Sequence, residues 1–194
     1  MRIVGGTMRG RSLVAPKGEG TRPTSDRVRE ALMSSLSNRF GAGLGGGAVL
    51  DLFAGSGALA LEALSRGASR AVLVDRDRDA QKAIAANVAA LGVGDRVTVV
   101  GADALNAGLK RATVLGPYSL LFVDPPYRID QAAVGRALEA LGRAGAVDDG
   151  AAVVWEHGSG GAVPEPAGFA QERTYRYGDT AVTLLRYYGE DTSR

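Results

Sequence analysis

The sequence predicts an α/β fold, a doubly wound and mostly parallel sheet with helices on both faces. Three observations predict it. From Gly47 onward, short β-branched runs alternate with helical stretches. The first run, "AVLDLF", stops at Asp51 and is followed by a glycine-rich loop that opens a helix. Acids also close the later runs, at Asp75, Asp103 and Asp124.

The first element in chain order is a β-hairpin over "RIVGGTMRGRSLVAP", with its turn around residues 7–10. A Gly/Pro-rich loop, "KGEGTRPTSD", leads to Ser25 or Asp26 as the N-cap of a helix through "RVREALMSSL". Val28, Leu32 and Leu36 give that helix an apolar stripe, with Arg27 and Arg29 on its other faces. "GAGLGGG" breaks the pattern and divides the chain into an N-terminal extension, 1–46, and a main domain, 47–194.

In the main domain the strands are "AVLDLF", "RAVLVD", "RVTVVGAD", "YSLLFVD" and "GAAVVWE". The helices between them are "GALALEALSRG", "RDAQKAIAANVAALG", a short one through "ALNAGLKR", and "QAAVGRALEALGRAG". Ala80, Ile84, Val88 and Leu91 line one face of the second helix, and Gly92 stops it. The last segment, "ERTYRY", "GD" and "TAVTLLRYY", reads as an antiparallel hairpin at the sheet edge. Five strands plus this hairpin make seven.

Composition narrows the chemistry. The 194 residues fit one domain, with apolar residues at 45% and charged residues at 23%. No cysteine is present, which excludes disulfides, thiolate metal sites and a cysteine nucleophile. The single histidine, His157, has no G-x-S-x-G elbow to serve and is expected to be structural or exposed. No carboxylate loop has calcium spacing, so no metal is expected. No apolar run is long enough to span a bilayer and no secretory signal opens the chain, so the expected location is the cytoplasm. Charge is uneven: residues 1–40 carry eight Lys/Arg against three Asp/Glu, and the remainder fifteen against eighteen. A solvated basic face and a phosphate-binding arm both fit that excess.

In "DLFAGSGALA", Gly55 and Gly57 permit a tight turn, and the amides that open the helix face a polar ligand. The spacing Gly55-x-Gly57-x-x-Ala60, with Asp75 twenty residues after Gly55, also satisfies the dinucleotide pattern. Two features favour S-adenosylmethionine over NAD. Asp51 places a carboxylate where a pyrophosphate would be repelled and an ammonium welcomed. There is also no second domain for a hydride acceptor. Asp75 is placed to accept from two ribose hydroxyls and Asp103 from an adenine amine.

"DPPY" closes the fourth strand. An exocyclic amine on a nucleobase is a poor nucleophile, because its lone pair is delocalised into the ring. Acceptors for its two N–H bonds favour the pyramidal, reactive shape. Asp124 offers a carboxylate, and Pro125 a carbonyl held by a fixed φ; with Pro126, neither residue brings a competing amide hydrogen. Tyr127 can stack on the base. Alignment rather than a strong base would supply most of the rate.

"DPPY" resembles motif IV of the amino-methyltransferases, and "DLFAGSGALALEALSRGA" their motif I. With "RIVGGTMRGRSL", "RPTSDRVREAL" and "YGDTAVTLLRY", nearly the whole chain is similar to the RsmD family, bacterial methyltransferases acting on guanine N2 of 16S ribosomal RNA. The resemblance implies a Rossmann-like class I methyltransferase fold with S-adenosylmethionine as cofactor. It implies cofactor contacts at Asp51, Phe53, Gly55, Ser56, Gly57, Asp75, Arg76, Asp103, Ala104 and Thr24, and a target-amine site at Asp124, Pro125, Pro126 and Tyr127. It makes the basic arm an RNA clamp, with Arg2, Arg9, Arg11, Lys17, Arg22, Arg27 and Arg29 as phosphate contacts. The implied partner is 16S rRNA within an assembled or assembling small subunit, met by a monomer without a membrane. The alternatives are an adenine-N6 methyltransferase of DNA or RNA, since "DPPY" serves several exocyclic amines, an NAD-binding oxidoreductase, and a non-catalytic RNA-binding module.

Overall fold

The computed structural model describes residues 1–16, 29–30, 32–36, 46–126 and 128–189. Its seven strands are β1 (Ala48–Asp51), β2 (Arg70–Val74), β3 (Val97–Val100), β4 (Tyr118–Val123), β5 (Val147–Gly158), β6 (Phe169–Tyr177) and β7 (Thr180–Tyr187). The four α-helices with full bounds are α1 (Ala58–Ser65), α2 (Arg78–Leu91), α3 (Ala107–Leu115) and α4 (Gln131–Arg143). The sheet order is β3-β2-β1-β4-β5-β7-β6. Strands β1 to β5 are parallel, and β7 runs antiparallel to both of its neighbours. The predicted fold class holds, terminal hairpin included.

The local chemistry explains the element boundaries. Asp77 caps α2 by accepting from the amides of Asp79 (2.7 Å) and Ala80 (3.0 Å), and Gly92 ends it in a left-handed conformation. Asp130 caps α4 by accepting from Ala132 N–H at 3.0 Å. Gly178, at φ 60°, supplies the two-residue turn between β6 and β7.

The sheet is buried on both faces, as parallel sheets are. One face packs Leu61 and Leu64 of α1 and Ile84 and Leu91 of α2 against Val49, Phe122 and Val154. The other packs α3 and α4 against Leu50, Val123 and Trp155. Side chains alternate along each strand, so position parity decides which face a residue serves. Ile3, Leu13, Leu32, Met33 and Leu36 share the first core with α1 and α2.

The N-terminal hairpin is shorter than expected. Arg2 and Ser12 form a single antiparallel bridge, with Ile3 N–H donating to the Arg11 carbonyl and Gly10 N–H to that of Ile3, both at 2.9 Å. Its turn begins at Gly6, where a 3₁₀ turn runs to Met8. Docking on α1 sets that position. Val4 N–H donates to Glu62 Oε2 (2.8 Å), Met8 N–H to Ser65 Oγ (2.9 Å), and Ser65 Oγ–H to the Gly5 carbonyl (2.6 Å). Glu62 is completely buried and also binds Arg66 Nε at 2.9 Å.

Gly6 is the tightest point of this contact. Its φ is 74°, and an added Cβ would stand 1.9 Å from the Ser65 carbonyl oxygen, a backbone atom unable to move aside. Gly6→Ala is therefore expected to destabilise by about 2 kcal/mol or more, lowering the melting midpoint by about 4 °C or more. A midpoint equal to wild type would contradict this docking.

Arg29 differs from its expected position. Residues 29–30 and 32–36 are helical, and Arg29 lies on the same stripe as Leu32, Met33 and Leu36, at spacings of three, four and seven. It is 1% exposed, and its Nη2 donates to the Arg2 carbonyl at 2.9 Å. The guanidinium joins the helix to the arm, so it is not offered to a phosphate.

Candidate active site

The site lies at the carboxyl ends of the parallel strands. The loop after β1 is strung between its neighbours: Leu52 N–H donates to the Phe122 carbonyl and Ala54 N–H to that of Val74, both at 3.1 Å. Gly55 and Gly57 have φ of 55° and 77°, the left-handed region that glycine alone enters without strain. Gly57 is the N-cap of α1 and offers no side chain, so the first amides of that helix have no side-chain cap. A Cβ on Gly57 would lie 2.6 Å from Leu73 Cδ2, so close packing demands glycine here as well.

Asp75, just past β2, accepts from Gly55 N–H through Oδ2 and from Asp77 N–H through Oδ1, each at 2.8 Å. Two backbone donors fix the carboxylate, and each oxygen retains a lone pair. Asp103, after β3, accepts from Leu105 N–H at 3.0 Å through Oδ1 and pairs with Arg76 at 2.8 Å through Oδ2. Arg76 thus holds Asp103. Phe53 and Ser56 are half-buried in the loop, while Ala104 is buried in the core behind Asp103.

Asp51 ends β1 and is 2% exposed. Burial first, and then the charge of Asp75, push its carboxyl up to about 7; the backbone amides of Ala60 and Phe53 hold it lower than burial alone would. A buried acid so placed favours a cation beside it. The residues present therefore fit S-adenosylmethionine: a glycine loop, an uncapped helix start, an acid for an ammonium, and Asp75 fixed for a diol.

Asp124 follows β4, next to β1. Loss of water raises its carboxyl to about 8, with further contributions from Glu156 and Asp51. Pro125 is buried and Pro126 exposed. The Pro126 carbonyl accepts from Ile129 N–H at 2.8 Å, while among the described residues none donates to that of Pro125. Trp155 Nε1 donates to Gln131 Oε1 at 2.9 Å, and Gln131 Nε2 to the Ile129 carbonyl at 3.3 Å. This chain fastens the exit of the motif to β5. Tyr127, Lys17, Arg22, Thr24 and Arg27 lie outside the described residues.

Three residues escaped the sequence reading. Glu156 adds a carboxylate at the end of β5. Glu62 anchors the arm. Asn87, 1% exposed on α2, accepts from Val14 N–H at 2.7 Å and donates to the carbonyls of Val14 and Ser56, both at 2.9 Å. It joins the arm to the glycine loop. Its signal was an amide within the apolar stripe of Ala80, Ile84 and Leu91. His157 is buried on the opposite sheet face from the acids, with Nε2 2.9 Å from Thr183 Oγ1 and Nδ1 3.0 Å from the Gly158 carbonyl, a structural role.

Comparison with known proteins identifies the family. The family model described as "Conserved hypothetical protein 95" matches residues 1–186. "Putative rRNA methyltransferase YlbH" of Bacillus subtilis (strain 168) is 36% identical over 193 residues, which cover 97% of this chain and 100% of that protein. "Ribosomal RNA small subunit methyltransferase D" of Escherichia coli (strain K12) is 43% identical over 128 residues, 66% of this chain and 61% of that one. Among solved structures, "Putative methyltransferase yhhF from Escherichia coli" superposes with a TM-score of 0.80 at 36% identity, covering 97% of this chain and 98% of that one. An RNA methyltransferase from Salinibacter ruber, solved with S-adenosyl-L-homocysteine, shares the fold at a TM-score of 0.63 and 17% identity, over 89% and 97% of the two chains. A strand order of 3-2-1-4-5-7-6, a glycine loop beside buried Asp51 and a match from end to end place the chain in the RsmD family of S-adenosylmethionine-dependent rRNA methyltransferases.

Proposed function

We propose that the chain methylates the exocyclic N2 of a guanine in 16S rRNA, within an assembled or assembling small ribosomal subunit. One observation carries the chemistry. Asp124 and the Pro125 carbonyl stand at the end of β4, one strand from Asp51 and the glycine loop. The name of the Escherichia coli relative, a small-subunit methyltransferase, supports the choice of RNA.

In this reading, Asp51 and the α1 amides hold the amino-acid end of the cofactor, Asp75 its ribose, and Asp103 its base. Bound S-adenosylmethionine supplies an electrophilic methyl group and a neutral thioether leaving group. Asp124 and the Pro125 carbonyl accept the two N–H bonds of the amine and turn its lone pair toward that methyl. As it takes the methyl the nitrogen would shed one proton to Asp124, leaving the thioether neutral. A carboxyl near 8 holds that proton readily at neutral pH. Tyr127 would stack on the base, which must first leave any helix it belongs to.

Residues 1–46 form the RNA-facing element of this proposal, acting in a cytoplasmic monomer. Arg2, Arg9 and Arg11 are exposed on it. Arg11 Nη2 also donates to the Ala90 carbonyl near the end of α2, so Arg9 is the cleaner probe. Arg9→Ala should weaken RNA binding and reduce the slope of log K against log salt by about 1. An unchanged slope would leave Arg9 as a solvated surface residue.

The function is tested by incubating the protein with labelled S-adenosylmethionine and unmodified small subunits, then mapping the product by mass. N2-methylguanine is expected. N6-methyladenine instead would overturn the base assignment, and no transfer to any nucleic acid would overturn the activity.

A further inference from the structure

We propose that Glu156 selects the base: its carboxylate accepts the ring N1–H of guanine while Asp124 accepts from the 2-amine. This rests on the guanine reading above and gives that site its specificity.

The placement follows from register. Val123 of β4 pairs with Trp155 of β5, so the next residues, Asp124 and Glu156, stand side by side on adjacent parallel strands. Such strands lie about 4.8 Å apart. Both side chains point to the face of Asp51 and α1. Phe122 and Val154 serve that core, Val123 and Trp155 the opposite one, and the alternation returns Asp124 and Glu156 to the first face. Glu156 is half-buried, and its charge acts directly on Asp124.

When both are ionised, two adjacent carboxylates make an acceptor-only surface. Guanine presents neighbouring donors along its Watson–Crick edge, N1–H and the 2-amine, and matches that surface. Adenine presents a donor amine beside N1, which is an acceptor. With the adenine amine at Asp124, its N1 lone pair would face the Glu156 carboxylate with no proton between them. Flipped or looped-out bases are read by hydrogen bonds along this edge. A site built to bind an N–H rejects an analogue lacking it far more strongly than a hydrophobic pocket rejects a misfit.

The test uses 2-aminopurine, which keeps the 2-amine but has an unprotonated N1. Small subunits are reconstituted around 16S rRNA carrying guanine or 2-aminopurine at the position the wild type methylates, introduced by splinted ligation. Methyl transfer is measured at pH 8.5, above the Asp124 carboxyl near 8. The wild type should prefer guanine by about 100-fold or more in kcat/KM. Glu156→Gln, whose amide can donate to N1, should shrink that ratio by about tenfold or more while leaving S-adenosylmethionine affinity unchanged. Glu156→Asp keeps the charge and should keep the preference. Failure of the wild type to form N2-methylguanine would overturn the guanine reading and this inference with it. If N2-methylguanine forms, a wild-type ratio near one overturns the role of Glu156 alone, whether or not the variants fold. Glu156→Gln lowering both substrates equally does the same.

Discussion

Asp124→Ala is expected to lower kcat by about 10²- to 10⁴-fold with little change in S-adenosylmethionine affinity. In the proposed site the side chain removed would touch the amine, whereas the cofactor would be held by Asp51, Asp75, Asp103 and the α1 amides. Single-turnover methyl transfer and calorimetric titration of the cofactor separate the two effects. An equal loss of affinity would move Asp124 from the amine site to the cofactor site. The wild-type pH profile gives a second reading of the same group. Its carboxyl lies near 8, so in the free enzyme it is mostly protonated at pH 7 and cannot accept there. The value of kcat/KM should rise with pH through about 8. Glu156→Gln removes one of the charges that raise Asp124, so its limb should move to lower pH. An unmoved limb would assign the titration to another group.

Asp51→Asn is expected to weaken S-adenosylmethionine binding by about 30-fold or more, because in the proposed site it removes one member of a buried charge pair. The same change should stabilise the free protein. The Asp51 carboxyl lies near 7 when folded, against an ordinary 3.8, so the folded state binds more protons than the unfolded state between those values. Stability therefore falls as pH rises from about 4 to 7, and the full penalty remains above 7. Asparagine keeps an acceptor for the Phe53 and Ala60 amides but carries no charge. The variant should exceed wild type by roughly 1–3 kcal/mol at pH 8, and the two should converge below about pH 4. Denaturant midpoints across that range would check the sign. A variant less stable than wild type at pH 8 would show that Asp51 is held charged by the fold. The wild type should also release a proton when it binds the cofactor near pH 6, read from binding heats in buffers of different ionisation enthalpy.

Much of this molecule was legible in its sequence because its signals are local. β-Branched runs, helix caps and φ-positive glycines act within a few residues of chain, so the order of strands and helices followed from them. The glycine loop, the acids after the strands and Asp124 with its two prolines share that property: each stands at a boundary that the local pattern marks. The structure placed Asp51, Asp75, Asp103 and Asp124 along one sheet edge, as their positions implied.

Other residues took their meaning from contacts between distant segments. Arg29 reads as a surface cation until Leu32, Met33 and Leu36 are seen to turn its face inward and the Arg2 carbonyl receives its guanidinium. Glu62, Ser65 and Asn87 look like ordinary polar residues on amphipathic helices. Only the returning N-terminal arm, some sixty to seventy residues away in sequence, makes them buried partners of Val4, Met8 and Val14. Glu156 shows the same limit within the site. Nothing nearby in the chain distinguishes it, and its placement beside Asp124 depends on the register of β5 against β4, thirty-two residues apart. The sequence by itself determined the fold class, the glycine loop after the first strand and the Asp-Pro-Pro exit of the fourth, because local backbone preferences encode them. Tertiary structure decided which charges are buried, how the arm meets the glycine loop and which second acid stands beside Asp124, because these depend on how separate segments pack.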